Sequence, residues 1–230
     1  MTPTQKRTLS ALFLATGTTA AGAAVLLLSP GPAFPAPRPL GTAQVRINAP
    51  SGTYTIDPMH TSLGFEIQHM GLSKVQGRFD DKSGQIVADF ADPSKSSVTF
   101  TAQVASIDTN VAPRDADLKS DNFFDAAKYP TLTFNSTRIR KDGDHYVADG
   151  ILAIKNKGLP VSIPFRYSGP VLDPFGGTRI GMVADPITIS RKAYGITWDH
   201  KMPDGSPQLA DDVTVRLSAE ATLPKPDAAK

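Results

Sequence analysis

The 230-residue chain has no cysteine, a single tryptophan and only four histidines. Without thiols it can build no disulfide framework, no thiolate zinc site and no lipid-modified cysteine anchor. A chain of this length can bury a core without covalent staples. Extended runs of one charge are also missing. The balance is 24 basic against 22 acidic residues, but residues 1–43 hold three of the bases and no acid. The remainder, with 21 against 22, is close to neutral. No Lys/Arg cluster survives there to hold nucleic acid or an anionic surface, so nucleic acid is excluded as a partner. No G-x-S-x-G elbow occurs, and no internal repeat.

The N-terminus reads as an export signal. Lys6 and Arg7 precede a largely apolar run over residues 9–28, followed by SPGPAFPAPRPLGTA. Small residues stand at −3 and −1 for cleavage after Ala33 (Gly31, Ala33) or after Ala43 (Gly41, Ala43). The apolar run is also about as long as a bilayer-spanning helix, so an uncleaved membrane anchor is the alternative. Export without cysteine points to a bacterial periplasmic or secreted location. The expected organisation is a leader at 1–43, a domain at 44–223 and a frayed tail at 224–230.

From residue 53 onward, short alternating runs are separated by turn residues. The pattern predicts strands over 53–57, 62–69, 75–80, 85–90, 96–107, 131–140, 145–154, 160–168, 178–189 and 211–222. Asp81-Lys82-Ser83-Gly84 and Lys141-Asp142-Gly143-Asp144 read as hairpin turns, and Asn156-Lys157-Gly158 and Asp173-Pro174-Phe175-Gly176-Gly177 as further breaks. About ten strands at this spacing predict an all-β fold, an antiparallel β-barrel or a sandwich. Residues 110–130 break the rhythm and predict a short helical segment around 112–128. Ser120 or Asp121 would cap a helix holding Phe123, Phe124 and Ala127, with Pro130 as its stop.

Residue parity sorts the strands into two faces. One carries Leu63, Phe65, Ile67, Val98, Phe100, Ala102, Val104, Leu132, Phe134, Leu152, Ile154, Val161, Ile163, Phe165, Val213, Val215 and Leu217; the other is rich in Thr, Ser, Asn and Arg. Apolar inside and hydroxyl outside is the reverse of an outer-membrane barrel. Small residues such as Ala102, Ser136, Ala148, Gly150, Ala184 and Ala219 interrupt the bulky ones on the inner face. They either interlock with large neighbours in a solid core or leave room for an apolar guest. The residues alone leave both open.

His60 and His69 lie nine positions apart. On one regular strand they would stand about 30 Å apart on opposite faces, too far to share a metal. No metal and no cofactor is expected. His69 shares the inner parity. His60 falls in a turn after Asp57-Pro58, where an Asp–His pair could orient Thr61 or Ser62 as a nucleophile. Arg114, Asp115 and Asp117 sit beside Leu118, Phe123 and Phe124. That mixture fits a loop whose aromatics plug one end of a barrel while its charges hold backbone groups.

Taken together, three ordered stretches carry a resemblance. The first holds Asp57, His60, Phe65, His69, Gly77 and Phe79. The second runs from Ser106 to Thr109 through Arg114, Asp115, Leu118, Ser120, Phe123, Phe124, Tyr129 and Pro130. The third comprises Gly150, Leu152, Ile154, Arg191, Tyr194, Gly195 and Trp198. Over about residues 53–222 the chain resembles the YceI-like family. The resemblance implies a lipocalin-like barrel with a long hydrophobic tunnel in an exported bacterial protein, and a long-chain isoprenoid or other amphiphilic lipid as its partner.

That tunnel would be lined by Leu63, Phe65, Ile67, His69, Phe100, Ala102, Val104, Phe134, Leu152, Ile154, Ile163, Phe165, Val215 and Leu217. Asp57, His60, Arg114, Asp115, Phe123 and Phe124 would stand at its lid or mouth. Similar sequences often carry His where this chain has Asp117, and Ser where it has Thr61. The expectation is a binding protein and not an enzyme. An enzyme acting on a lipid through His60/Asp57 or His69, and a solid-core adaptor module, are the rivals. Transient membrane contact and a homodimer stay open.

Overall fold

The computed structural model describes residues 50–224. The leader predicted at 1–43 and residues 225–230 of the tail lie outside them. The strands are β1 (Gly52–His69), β2 (Ser73–Phe79), β3 (Lys82–Ala88), β4 (Ser97–Gln103), β5 (Ile107–Asp108), β6 (Thr131–Asp142), β7 (His145–Ile154), β8 (Lys157–Leu172), β9 (Thr178–Ala184), β10 (Ile187–Ser190) and β11 (Leu209–Leu223), with one α-helix, α1 (Ala112–Lys119).

All the strand pairings are antiparallel. The order β11-β9-β8-β7-β6-β4-β3-β1, with β1 pairing back onto β11, closes an eight-stranded barrel. The remaining short strands, β2, β5 and β10, extend the sheet at one end. Closure removes the free edges that would otherwise invite aggregation. The architecture is an all-β antiparallel barrel, one of the two forms that the alternation predicts, and the lipocalin-like form that the resemblance implies.

Several predicted boundaries shift, for local reasons. The two strands predicted at 53–57 and 62–69 are one strand, β1. It pairs with β11 from Thr55 to His69 but bulges between Asp57 and Ser62, where four residues, Pro58 to Thr61, oppose Ala219 alone. Pro58 cannot donate to the ladder, which places the bulge there. The predicted hairpin at 81–84 is absent. β2 pairs with the second half of β1, and β3 with its first half at Gly52–Thr55, so Ser83 and Gly84 lie inside a strand.

The long strand predicted at 96–107 stops at Gln103. A 3-10 turn, Val104–Ser106, follows, and its first amide bonds Pro130. The strand predicted at 178–189 breaks into β9 and β10 at Asp185-Pro186. The helix is shorter and earlier than expected. α1 ends at Ser120, which serves as its C-cap, and Phe123 and Phe124 sit in turns beyond it. The Asp-Gly hairpin at 142–145 is where the sequence puts it, while the break expected at 156–158 is a tighter turn at Lys155-Asn156, with Lys157 and Gly158 already in β8. His69-Met70-Gly71 forms the β1–β2 turn, with Met70 and Gly71 both at positive φ.

Candidate functional site

The inner face lines an apolar cavity, about 1650 Å³ of empty space when the solvent at its opening is counted with it. Period-2 alternation aims the side chains: Leu63, Phe65 and Ile67 from β1, Phe100 and Ala102 from β4, Phe134 from β6, Leu152 and Ile154 from β7, Ile163 and Phe165 from β8, and Val215 and Leu217 from β11 all line it. Among its lining residues, the only polar side chains besides the Tyr194 phenol are those of Thr133, Asp185 and Arg191.

The small inner residues divide into two kinds. Ala102, Ala148 and Ala184 face the cavity. Gly150 and Gly77 are covered instead. A Cβ on Gly150 would meet the Phe134 ring at 2.7 Å, and one on Gly77 the Phe65 ring at 2.4 Å. At those two positions large and small residues interlock, while the middle of the barrel stays open.

Two residues expected on the lining are not there. Val104 is 1% exposed, but it sits in the 3-10 turn where alternation has ended, and it packs into solid core. His69 lies past a register shift between Ile67 and His69 on β11. Its ring approaches Gln208 at the rim and does not reach the cavity.

The expected lid separates in the same way. Phe123 and Phe124 line the cavity, with Phe123 packed on Trp198 (centroids 5.3 Å apart) and Phe124 edge-on to Phe79 (6.0 Å). Lys155 Nζ donates to the Phe123 carbonyl at 2.8 Å and fixes that turn. Arg114 and Asp115 do not line the cavity. Arg114 donates through Nε to Thr109 Oγ1 and through Nη2 to the Thr109 carbonyl, both at 2.8 Å. Asp115 Oδ1 accepts from the Thr109 amide and hydroxyl. The motif residues Arg114 and Asp115 therefore build a loop around Asn110, which adopts positive φ. Asp117 is occupied likewise, accepting from Asn122 Nδ2 at 3.0 Å.

Asp57 and His60 also lie away from the cavity, on the outer wall. His60 Nδ1 is 2.8 Å from Asp57 Oδ2, and Arg179 Nη1 binds both Asp57 Oδ2 and Glu220 Oε2 at 2.7 Å. The Arg179 hydrogen bond, reinforced by that of His60, holds the Asp57 carboxyl far below the usual carboxylate range. The nearby Thr61 is 6% exposed, so its hydroxyl is poorly placed to attack a substrate. Among the described residues, Asp57, His60 and Glu220 are close enough to share a metal ion, but Arg179 already supplies the positive charge between the two carboxylates.

Residue-by-residue reading missed the wall built by the segment after β10. Arg191, Tyr194 and Ile196 are 4%, 2% and 5% exposed and border the cavity. Arg191 donates to the carbonyls of Ala210 (2.8 Å), Ile196 (2.9 Å), Trp198 (2.7 Å) and, more weakly, Leu209 (3.4 Å). Burial pulls its pKa down from the ordinary arginine value. The spacing R-x-x-Y-G-I-x-W was the available signal. Its glycine, Gly195, takes φ +84°, and this turn brings Ile196 back against Arg191.

An eight-stranded antiparallel barrel around an apolar cavity, with the aromatics of the turns after α1 at one end, defines a lipocalin-like class of protein. Within that class the YceI-like domain model matches residues 54–221, and the chain belongs to this family. Protein YceI of Escherichia coli O157:H7 is 38% identical over 154 residues, 66% of this chain and 80% of the relative. The crystal structure of the Campylobacter jejuni YCEI protein superposes with a TM-score of 0.58 at 27% identity, covering 69% of this chain and 90% of that one. A polyisoprenoid binding domain from Saccharophagus degradans shares the fold at a TM-score of 0.54 and 17% identity, with 74% and 98% covered.

Proposed function

We propose that this protein is an exported, non-catalytic carrier or sensor of a long isoprenoid or similar amphiphilic chain, held with its tail in the barrel. One observation carries the reading: a cavity in the barrel walled almost wholly by hydrocarbon side chains. Family membership supports it, as does the shared fold of a domain named for polyisoprenoid binding. Arg191, the one basic group on the lining, spends its donors on backbone carbonyls. The interior therefore suits a tail and leaves any head group at the mouth.

The energetics favour a long guest. At ~0.8 kcal/mol per buried CH₂, each isoprene-sized unit contributes about 3–4 kcal/mol. A few units exceed the cost of ordering the chain. Location in the periplasm or outside the cell follows from the leader sequence and belongs to the same proposal.

Purification from a bacterial host without detergent, then solvent extraction and mass spectrometry of the extract, tests the reading. A long-chain lipid present in stoichiometric amount is the expected result. Extracts empty of lipid, from protein that also fails to take up prenols from micelles, would overturn it. Turnover of a lipid ester that disappears in a His60→Ala variant would favour an enzyme instead.

A further inference from the structure

A second, smaller pocket, about 550 Å³ when the solvent at its opening is counted with it, adjoins the first, and the two spaces share three lining residues: Val98, Phe165 and Met182. These come from β4, β8 and β9. β8 and β9 are neighbours, while β4 lies three strands further round the ring from β8, so the three side chains reach the bore from different sides. The small cavity occupies the end where β3 stops at Ala88 and Phe90 and Pro93 follow. The large one reaches the opposite end, where Leu118, Phe123 and Tyr194 lie.

The three dividing residues differ in how closely they are packed. The Phe165 ring stacks on Tyr146 (centroids 5.7 Å apart, planes at 30°), and Tyr146 meets Tyr167 edge-on at 5.5 Å. Tyr167 in turn packs on Phe90 at 5.8 Å. Phe165 is thus braced from the small-cavity side by a row of aromatics. Val98 is short and 8% exposed. Met182 is only partly buried, and its unbranched side chain has no fixed shape.

We infer that Phe165, Met182 and Val98 partition the bore, so that the large cavity ends at Phe165 and the length of tail the barrel accepts is set there, with Met182 as the movable part. This rests on the carrier reading above and adds the residues that measure the guest. A tail that fills the large cavity gains contacts with each added unit. Beyond the partition, further units must displace Met182 or remain in water, so the gain stops.

The test uses the full chain and prenols of one to ten isoprene units presented in detergent micelles. Native mass spectrometry counts the bound complex. For the wild type, occupancy should climb with length and then level off. In Met182→Ala the levelling point should move at least one isoprene unit longer, and in Phe165→Ala further still. Phe165→Leu serves in place of Phe165→Ala if the latter does not fold, and circular dichroism checks each variant. A levelling point unchanged in folded Met182→Ala and Phe165→Leu overturns the partition and leaves the carrier intact. Failure of the wild type to bind any length sinks the carrier reading, and this inference with it.

Discussion

Arg179 Nη1 and Asp57 Oδ2, 122 residues apart in the chain, meet at 2.7 Å on the outer wall of the barrel. The same arginine holds Asp173 Oδ2 through Nε at 2.7 Å. Each carboxylate turns its other oxygen onto its own chain: Asp57 Oδ1 accepts from the Met59 amide at 2.9 Å, and Asp173 Oδ1 from the Phe175 amide at 2.8 Å. Two Asp-Pro turns of one design are thus pinned by one guanidinium, and both Met59 and Phe175 project into solvent. The β1 bulge and the β8–β9 loop are locked together across the closure of the barrel.

Loss of this lock should lower stability in a pH-dependent way. Asp57 has its pKa depressed in the folded state, so its contribution is fully present above the unfolded carboxylate value, about 3.9, and is lost as pH falls through the folded value. Asp57→Asn should cost about 1–2 kcal/mol at pH 7, the scale of a charge-assisted hydrogen bond. Arg179→Met should lower the melting temperature at pH 7 and flatten its fall below pH 4. Thermal denaturation at pH 7, 4 and 2.5 measures both, and an equal loss at every pH would refute the assignment.

His60→Ala and His69→Ala should leave lipid affinity within about twofold, since neither ring borders the cavity. Binding of a fluorescent fatty-chain probe checks this. A tenfold loss for either variant would place the head group where the structure does not.

Leu152 lines the cavity and is only partly buried, so a larger side chain there extends into empty space. Leu152→Trp should keep the fold and reduce occupancy by a long-chain lipid at least tenfold, because each displaced CH₂ forfeits ~0.8 kcal/mol. Mass spectrometry of extracts from the two purified proteins gives the comparison.

Gly150→Ala should destabilise the barrel by about 1–3 kcal/mol, the usual cost of overpacking. Its Cβ would lie 2.5 Å from the Asn135 carbonyl oxygen and 2.7 Å from the Phe134 ring. Chemical denaturation would read the loss as a lower midpoint at unchanged slope.

Arg191→Lys should cost about 2–4 kcal/mol despite keeping the charge. Three close carbonyls lose a planar fork that a single ammonium cannot replace, and buried acceptors left unpaired are expensive. Hydrogen exchange should show faster amides around Ile196, which this arginine ties to Ala210.

What the sequence determined by itself is the alternation. Strand residues two apart must share a face, so Leu63-Phe65-Ile67 or Ile163-Phe165 could be assigned to the interior without coordinates. The Asp-Gly turn at 142–143 likewise announces its hairpin. The tertiary structure alone decided what depends on register and on distant partners. The β1 bulge carries Asp57 and His60 to the outer wall, and Arg179 meets them there only because β1 and β9 both flank β11. Arg114 and Asp115 look like site residues in sequence because charge beside aromatics is ambiguous. Only their bonds to Thr109 show them committed to a loop. Whether small residues leave a void is also a question of what stands opposite. Gly150 lies under Phe134 while Ala148, two positions away, faces open space. Packing across a barrel is fixed by closure and shear, which no single strand encodes.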